Sequence, residues 1–152
     1  MRLQMINARP SRKLARLALA VFGLTLASTA IGAPRKIEGS VNKVRDVDTI
    51  VAVGTPVGLN GVDGAELGTK VGQDTRRWML YHLRDKIVAC DLSGERTCDR
   101  WVGECYLDRV DIGAASIAAG YALDCPRYSG GRYKGLEAPS AKSRIKRAKY
   151  CN

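Results

Sequence analysis

The chain has 152 residues, 45% of them apolar, which is enough for one modest core and too few for a second domain. Twenty-five Lys and Arg against 15 Asp and Glu give a net charge of +10, a balance that suits polyanionic partners. With His82 as its one histidine and no CxxC pair, the sequence argues against a zinc site.

The first thirty residues differ from the rest. Arg2, Arg9, Arg12, Lys13 and Arg16 precede the uncharged stretch Leu17–Ala30, which reads as the basic and apolar regions of a secretory signal. Ser28 and Ala30 suit the small positions before a cleavage site, whereas cleavage after Ala33 would put Pro34 next. An uncleaved anchor is the competing reading, because the uncharged run Leu17–Pro34 is 18 residues long, near the lower limit of a membrane span. A cleaved signal over residues 1–30 predicts a periplasmic or secreted protein by the general secretory route, since no twin arginine precedes the apolar run. Its loss takes five of the 25 basic residues and no acid, leaving 20 against 15, or +5.

From Lys36 to Val62, β-branched residues alternate with turn residues, including Gly54-Thr55-Pro56, and predict three short antiparallel strands. Thr69–Leu83 carries Val71, Trp78, Met79 and Leu83 at helical spacings, with Thr69 as N-cap. His82 on this helix is read as a packing residue. Ile87–Leu92 and Trp101–Leu107 predict two further strands around a turn at Ser93-Gly94-Glu95-Arg96. Asp111 is placed to cap a short helix ending at Gly120. A last helix, beginning or kinking at Pro139, is expected to hold the basic tail of Lys142, Arg144, Lys146, Arg147 and Lys149. That tail reads equally as a polyanion contact or as a solvated helix face. Five strands with a helix between the third and fourth are the content of an OB barrel. The expectation is therefore a mostly β, α+β domain over residues 36–151, a five-stranded OB-type barrel with about three helices.

Two acidic clusters stand at predicted strand ends: Asp46-Val47-Asp48-Thr49 and Asp63-Gly64-Ala65-Glu66. Alternation puts Asp46 and Asp48 on one face, and neighbouring strand ends gather carboxylates that a hard divalent ion, held by oxygens, would neutralise. Ordinary Asp/Gly turns are the competing reading.

These clusters, with Gly58-Leu59-Asn60-Gly61-Val62 before the second, Cys98-Asp99-Arg100, the segment Asp111 to Gly120-Tyr121-Ala122, and Tyr128 and Glu137, resemble the thermonuclease family of staphylococcal-nuclease-like OB-fold phosphodiesterases. The family pattern runs DGDT, RLxGIDxPE, DRYGR, an aliphatic helix ending GxA, then YxxxE. The likeness covers about residues 38–138. It implies Asp48 and Asp63 as calcium ligands with the Gly64 carbonyl, and Asp46 just behind them. It implies Glu66 as the residue that orients or deprotonates the attacking water, and Arg100 as the scissile-phosphate ligand. A guanidinium offers phosphate a rigid fork of donors that a lysine lacks.

The departures are specific. Gly58 stands where the family has a second phosphate-binding arginine, Ala65 where it has proline, and Asp99 where it has glycine. Loss of one such donor typically slows the chemical step by a factor on the order of 10²–10³. On this reading Gly58→Arg restores activity, unless Arg45, Arg76, Arg77 or Arg96 supplies the charge. Five cysteines, all in the exported part, imply two disulfides and one odd thiol. Cys98 occupies a position aromatic in the family and is expected to be the free one, with Cys90–Cys105 across the predicted hairpin and Cys125–Cys151 tying down the tail. The functional expectation is a monomeric, exported, calcium-dependent nuclease on DNA or RNA. The alternative is an OB-fold nucleic-acid-binding module that cuts slowly or not at all.

Overall fold

A computed structural model describes residues 35–152. The expected signal at 1–30 lies outside the described residues. Eight strands, β1 (Arg35–Val44), β2 (Thr49–Ala52), β3 (Thr55–Leu59), β4 (Val62–Asp63), β5 (Ile87–Thr97), β6 (Arg100–Leu107), β7 (Val110–Asp111) and β8 (Leu123–Asp124), are joined by helices. These are α1 (Lys70–Leu83), α2 (Ile112–Ala118), α3 (Pro126–Ser129), α4 (Pro139–Arg144) and a final 3-10 turn at Lys149–Cys151.

The main sheet runs β3-β2-β1-β5-β6, and β3 pairs in parallel with β6, so five strands close on themselves as an OB-type barrel. β1, β2 and β3 are antiparallel, as their alternation predicts. Their second connection is a two-residue turn with Val53 at φ 51° and Gly54 at φ 71°, the backbone a tight hairpin requires. Gly103 lies where the barrel closes: a Cβ there would stand 3.0 Å from the Asp91 carbonyl and 2.9 Å from Leu92 Cδ2. Val44, Val47, Ile50, Val57, Val88 and Leu92 fill the barrel, and Ile112 and Ile117 of α2 pack against them.

Thr69 caps α1, its Oγ1 accepting from Gly72 N at 3.0 Å. The buried face of α1 is Gly72, Thr75, Met79 and Leu83, a helical stripe that shares Met79 and Leu83 with the expected one. Trp78 lies half-buried beside it, stacking on His82 at 4.7 Å and on Tyr121 at 4.6 Å, so His82 packs, as expected. Burial first, and then the charge of Lys86, hold the His82 imidazole below its ordinary pKa.

The structure corrects three details. The chain does not turn at Ser93–Arg96. β5 runs on to Thr97 and reverses at Cys98–Asp99, because Gly94 at φ 88° absorbs an irregularity and Ser93 Oγ donates to the Val102 carbonyl. Arg96 then lies 4.9 Å over the Trp101 ring. The last helix does start at Pro139 but spans six residues, so Lys146, Arg147 and Lys149 leave its face. Four short or medium α-helical segments replace the expected three or so. Asp111 caps α2 through Gly113 N and Ala114 N, and Gly120 ends it at φ 81°, as expected. Disulfides join Cys90 to Cys105 and Cys125 to Cys151, and Cys98 is free and exposed. No helix among the described residues is long and apolar enough to cross a membrane. The two disulfides are compatible with an exported protein.

Candidate functional site

The turn between β1 and β2 is built by backbone bonds: Arg45 N and Asp46 N both donate to the Thr49 carbonyl, at 2.9 and 3.3 Å. Leu59 N donates to the Asp48 carbonyl at 2.8 Å, which ties this turn to the end of β3. The chain then enters β4, which ends at Asp63 and leads the second acidic cluster past the first. A Cβ added at Gly64 would meet Val47 Cγ1 at 2.7 Å and Asp48 Oδ2 at 3.4 Å, so the backbone of one cluster lies against the carboxylate of the other.

Asp48 Oδ1 accepts from Thr49 Oγ1 at 2.8 Å and from Arg100 Nη1 at 3.3 Å. Arg100 Nη1 also contacts Thr49 Oγ1, and Thr49 is fully buried. The hydroxyl thus joins the acid to the guanidinium. Asp46 Oδ1 is buried without a partner. Burial above all, then a hydrogen bond and repulsion from the neighbouring Asp48 carboxylate, raise its pKa to about 7.

Asp63 is 3% exposed, and its Oδ2 accepts from Ala148 N at 2.8 Å. Burial raises its pKa, the Ala148 N–H opposes this, and the charges of Asp48 and Glu66 add to the rise. The Ala148 contact comes from the chain terminus. Arg147 donates to Glu137 Oε1 at 2.6 Å and contacts the Asp124 carbonyl, while Cys151 is bonded to Cys125. Glu137 Oε1 also accepts from Asp124 N at 2.9 Å, and Lys142 Nζ stands 3.4 Å from its Oε2. Glu137 therefore fastens the tail.

A cavity of about 290 Å³ opens beside these groups, lined by Asp48, Gly58, Arg100, Tyr128 and Tyr150 among others. Asp63 and Glu66 do not line it. Glu66 is exposed at the start of the loop into α1, its carbonyl accepting from Thr69 N at 3.0 Å. Gly72 carries that loop: a Cβ there would stand 2.1 Å from the Glu66 carbonyl oxygen. Asp99 does not neutralise Arg100 directly, since its carboxylate takes a 2.7 Å bond from Arg45 Nη1.

Arg100 itself crosses the bare backbone of Gly58. A Cβ at Gly58 would lie 3.0 Å from Arg100 Nε and 3.1 Å from its Cδ. The position at which the family pattern has a second arginine is here the seat of the first one's side chain. Gly72, Ala148 and Tyr150 carry no site-forming signal that the sequence reading used. Tyr150 had the one usable signal, its place beside the tail cysteine.

The donors suit a hard cation in kind. They are oxygens only, and they include the unpartnered Asp46 Oδ1 and an Asp46–Asp48 carboxyl pair whose mutual repulsion a cation would relieve. They are not a finished cage, because among the described residues no three acidic, histidine or cysteine side chains converge on one point. One Asp63 oxygen is already taken by Ala148. The sequence matches no protein-family model and no curated protein.

Proposed function

We propose that the chain is an exported, calcium-dependent phosphodiesterase acting on nucleic acid. The observation that supports this best is the meeting of Arg100 with Asp48 and Thr49 at the mouth of a cavity, with Gly64 against Asp48 and Asp63 close behind. A phosphate-binding guanidinium and the Asp48 carboxylate then face one small space, with Asp63 buried outside its lining. Asp48, Asp63 and the Gly64 carbonyl are the residues that would hold calcium, with Asp46 behind them. When bound, calcium supplies Lewis-acid polarisation of the phosphoryl oxygen.

The chain's own residues do the rest. Arg100 presents donors to the non-bridging oxygens, where charge grows in the transition state. Glu66, exposed and carrying no hydrogen bond on its side chain among the described residues, accepts a proton from the attacking water. Water forms the new phosphorus–oxygen bond as the bond to the leaving sugar oxygen breaks, and that oxygen takes up a proton from solvent. Tyr128 and Tyr150 offer ring faces to a base at the cavity wall.

The second reading, a binding module with little or no turnover, is favoured by Glu66 standing outside the cavity lining and by one arginine serving where the family pattern has two. The two readings separate on denatured DNA with calcium or EDTA: Glu66→Gln should keep calcium binding and lose turnover. Equal digestion by Glu66→Gln and parent would sink the proposed site. The mature chain is expected to begin near Ile31 and to be monomeric, which N-terminal sequencing and light scattering of the exported protein measure.

A further inference from the structure

A second concave surface shares no lining residue with the cavity at Arg100. It is a groove of about 630 Å³ between the end of β1 and α1, lined by Lys43, Arg45, Leu67, Gln73, Arg76, Arg77 and Leu80. The α1 residues 73, 76, 77 and 80 form one helical stripe, distinct from the buried stripe at 72, 75, 79 and 83. Four lining residues are cationic and none is acidic.

Arg45 is paired with Asp99 at 2.7 Å, and the other three cations are left largely available. Arg76 Nε donates to the Val44 carbonyl at 3.1 Å, which fixes the side chain and leaves its terminal nitrogens for a ligand. Arg77 stands 3.7 Å from Asp74, a loose and exposed pair worth little in water. Among the described residues Lys43 and Arg76 form no ion pair. Leu67 and Leu80, 42% and 38% exposed, give the groove an apolar floor.

The groove also adjoins the candidate site. Arg45 belongs to the same turn as Asp46 and Asp48, and its partner Asp99 precedes Arg100.

We propose that this groove binds the phosphodiester backbone of single-stranded nucleic acid, with phosphates on Lys43, Arg45, Arg76 and Arg77 and unstacked bases on Leu67 and Leu80. The choice of nucleic acid as the polyanion rests on the functional reading above; the groove and its charge do not. A duplex keeps its bases stacked inside and offers the leucines nothing, so the apolar floor selects a single strand.

The test is fluorescence anisotropy of a labelled oligodeoxythymidylate in EDTA, where calcium-dependent turnover is off, across a salt series. The parent should bind with a clear salt dependence. Lys43→Gln/Arg77→Gln, which leaves the Arg76–Val44 bond intact, should weaken binding about tenfold at low salt and reduce the log–log salt slope by about 1.4, at 0.7 per lost single-strand phosphate contact. A parent that does not bind, a folded double variant with unchanged affinity and slope, or a duplex of equal charge that competes better than the single strand would each overturn the proposal. Cleavage in calcium is scored separately. Groove-dependent binding without cleavage would sink the catalytic reading alone, and cleavage with groove-independent binding would sink the groove alone.

Discussion

Arg100 reaches Asp48 by lying across Gly58, and a Cβ at that glycine would come within 3.0 Å of the arginine's Nε. A side chain at residue 58 fits only if Arg100 gives by a few tenths of an ångström. Gly58→Ala should therefore push Arg100 off Asp48 and lower turnover about tenfold or more, within the range for a displaced transition-state donor. Gly58→Arg should give no gain, contrary to what the family pattern alone implies, because the incoming side chain starts where Arg100 already runs. Initial rates on denatured DNA, with melting curves to confirm folding, test both. Higher activity in a folded Gly58→Arg protein would mean that Arg100 moves aside without loss.

Thr49 is buried and bridges the acid and the guanidinium, donating to Asp48 Oδ1 at 2.8 Å. Thr49→Val keeps the shape and removes the bridge. It should cost about 1–3 kcal/mol of stability, as for a buried partner left unsatisfied, and turnover should fall with it. Thr49→Ser, which keeps the hydroxyl, should recover most of the turnover. Urea denaturation and rate measurements on the three proteins check this.

The tail is fastened by a partly buried acid, which gives stability a defined pH response. Burial works to raise the Glu137 pKa, but the bonds from Arg147 and Asp124 N outweigh it and hold the carboxyl below its ordinary value of 4.5. A depressed folded pKa means that the unfolded chain binds the proton more readily. The stabilisation is therefore complete above the ordinary glutamate range and is lost as pH falls through the lower folded value. Glu137→Gln should be less stable than the parent at neutral pH, by about 1–3 kcal/mol, and the gap should close in acid. A gap that stays constant with pH would mean that Glu137 acts by packing alone.

Reduction should also be felt at the site. The Cys125–Cys151 bond closes a separation of 26 residues, worth about 3.5 kcal/mol in the chain-entropy account, and it holds the segment whose Ala148 N–H binds Asp63. Cys125→Ser/Cys151→Ser should melt earlier and turn over denatured DNA more slowly. Cys90→Ser/Cys105→Ser, across β5 and β6, should lose about 3 kcal/mol for its separation of 15 residues and change turnover less at a temperature where both are folded. Equal effects on turnover would show that the tail does not position Asp63.

Much of this was legible in the sequence because it is encoded locally. Alternation gave the strands, Thr69 and Asp111 announced their helices as caps, and the hairpin spacing of Cys90 and Cys105 matched their pairing. The extension of β5 to Thr97 was hidden, because Ser93 and Gly94 are turn residues by composition and become strand residues only when β6 supplies their partners. The approach of Ala148 to Asp63 spans 85 residues and uses a backbone group, which no side-chain pattern can report. Gly58 was visible as a departure, yet its meaning depends on where Arg100 lies, and that is set by barrel closure between β3 and β6.

The proposed activity is calcium-dependent cleavage of a phosphodiester bond by one carboxylate site and Arg100 together. The initial rate of denatured-DNA hydrolysis by the parent and by Asp48→Asn, each in calcium and in EDTA, tests it most directly. The parent should hydrolyse DNA in calcium and stop in EDTA, and a folded Asp48→Asn protein should lose most of its activity at any calcium concentration. Hydrolysis that persists in EDTA, no hydrolysis by the parent, or an Asp48→Asn variant as fast as the parent would contradict it.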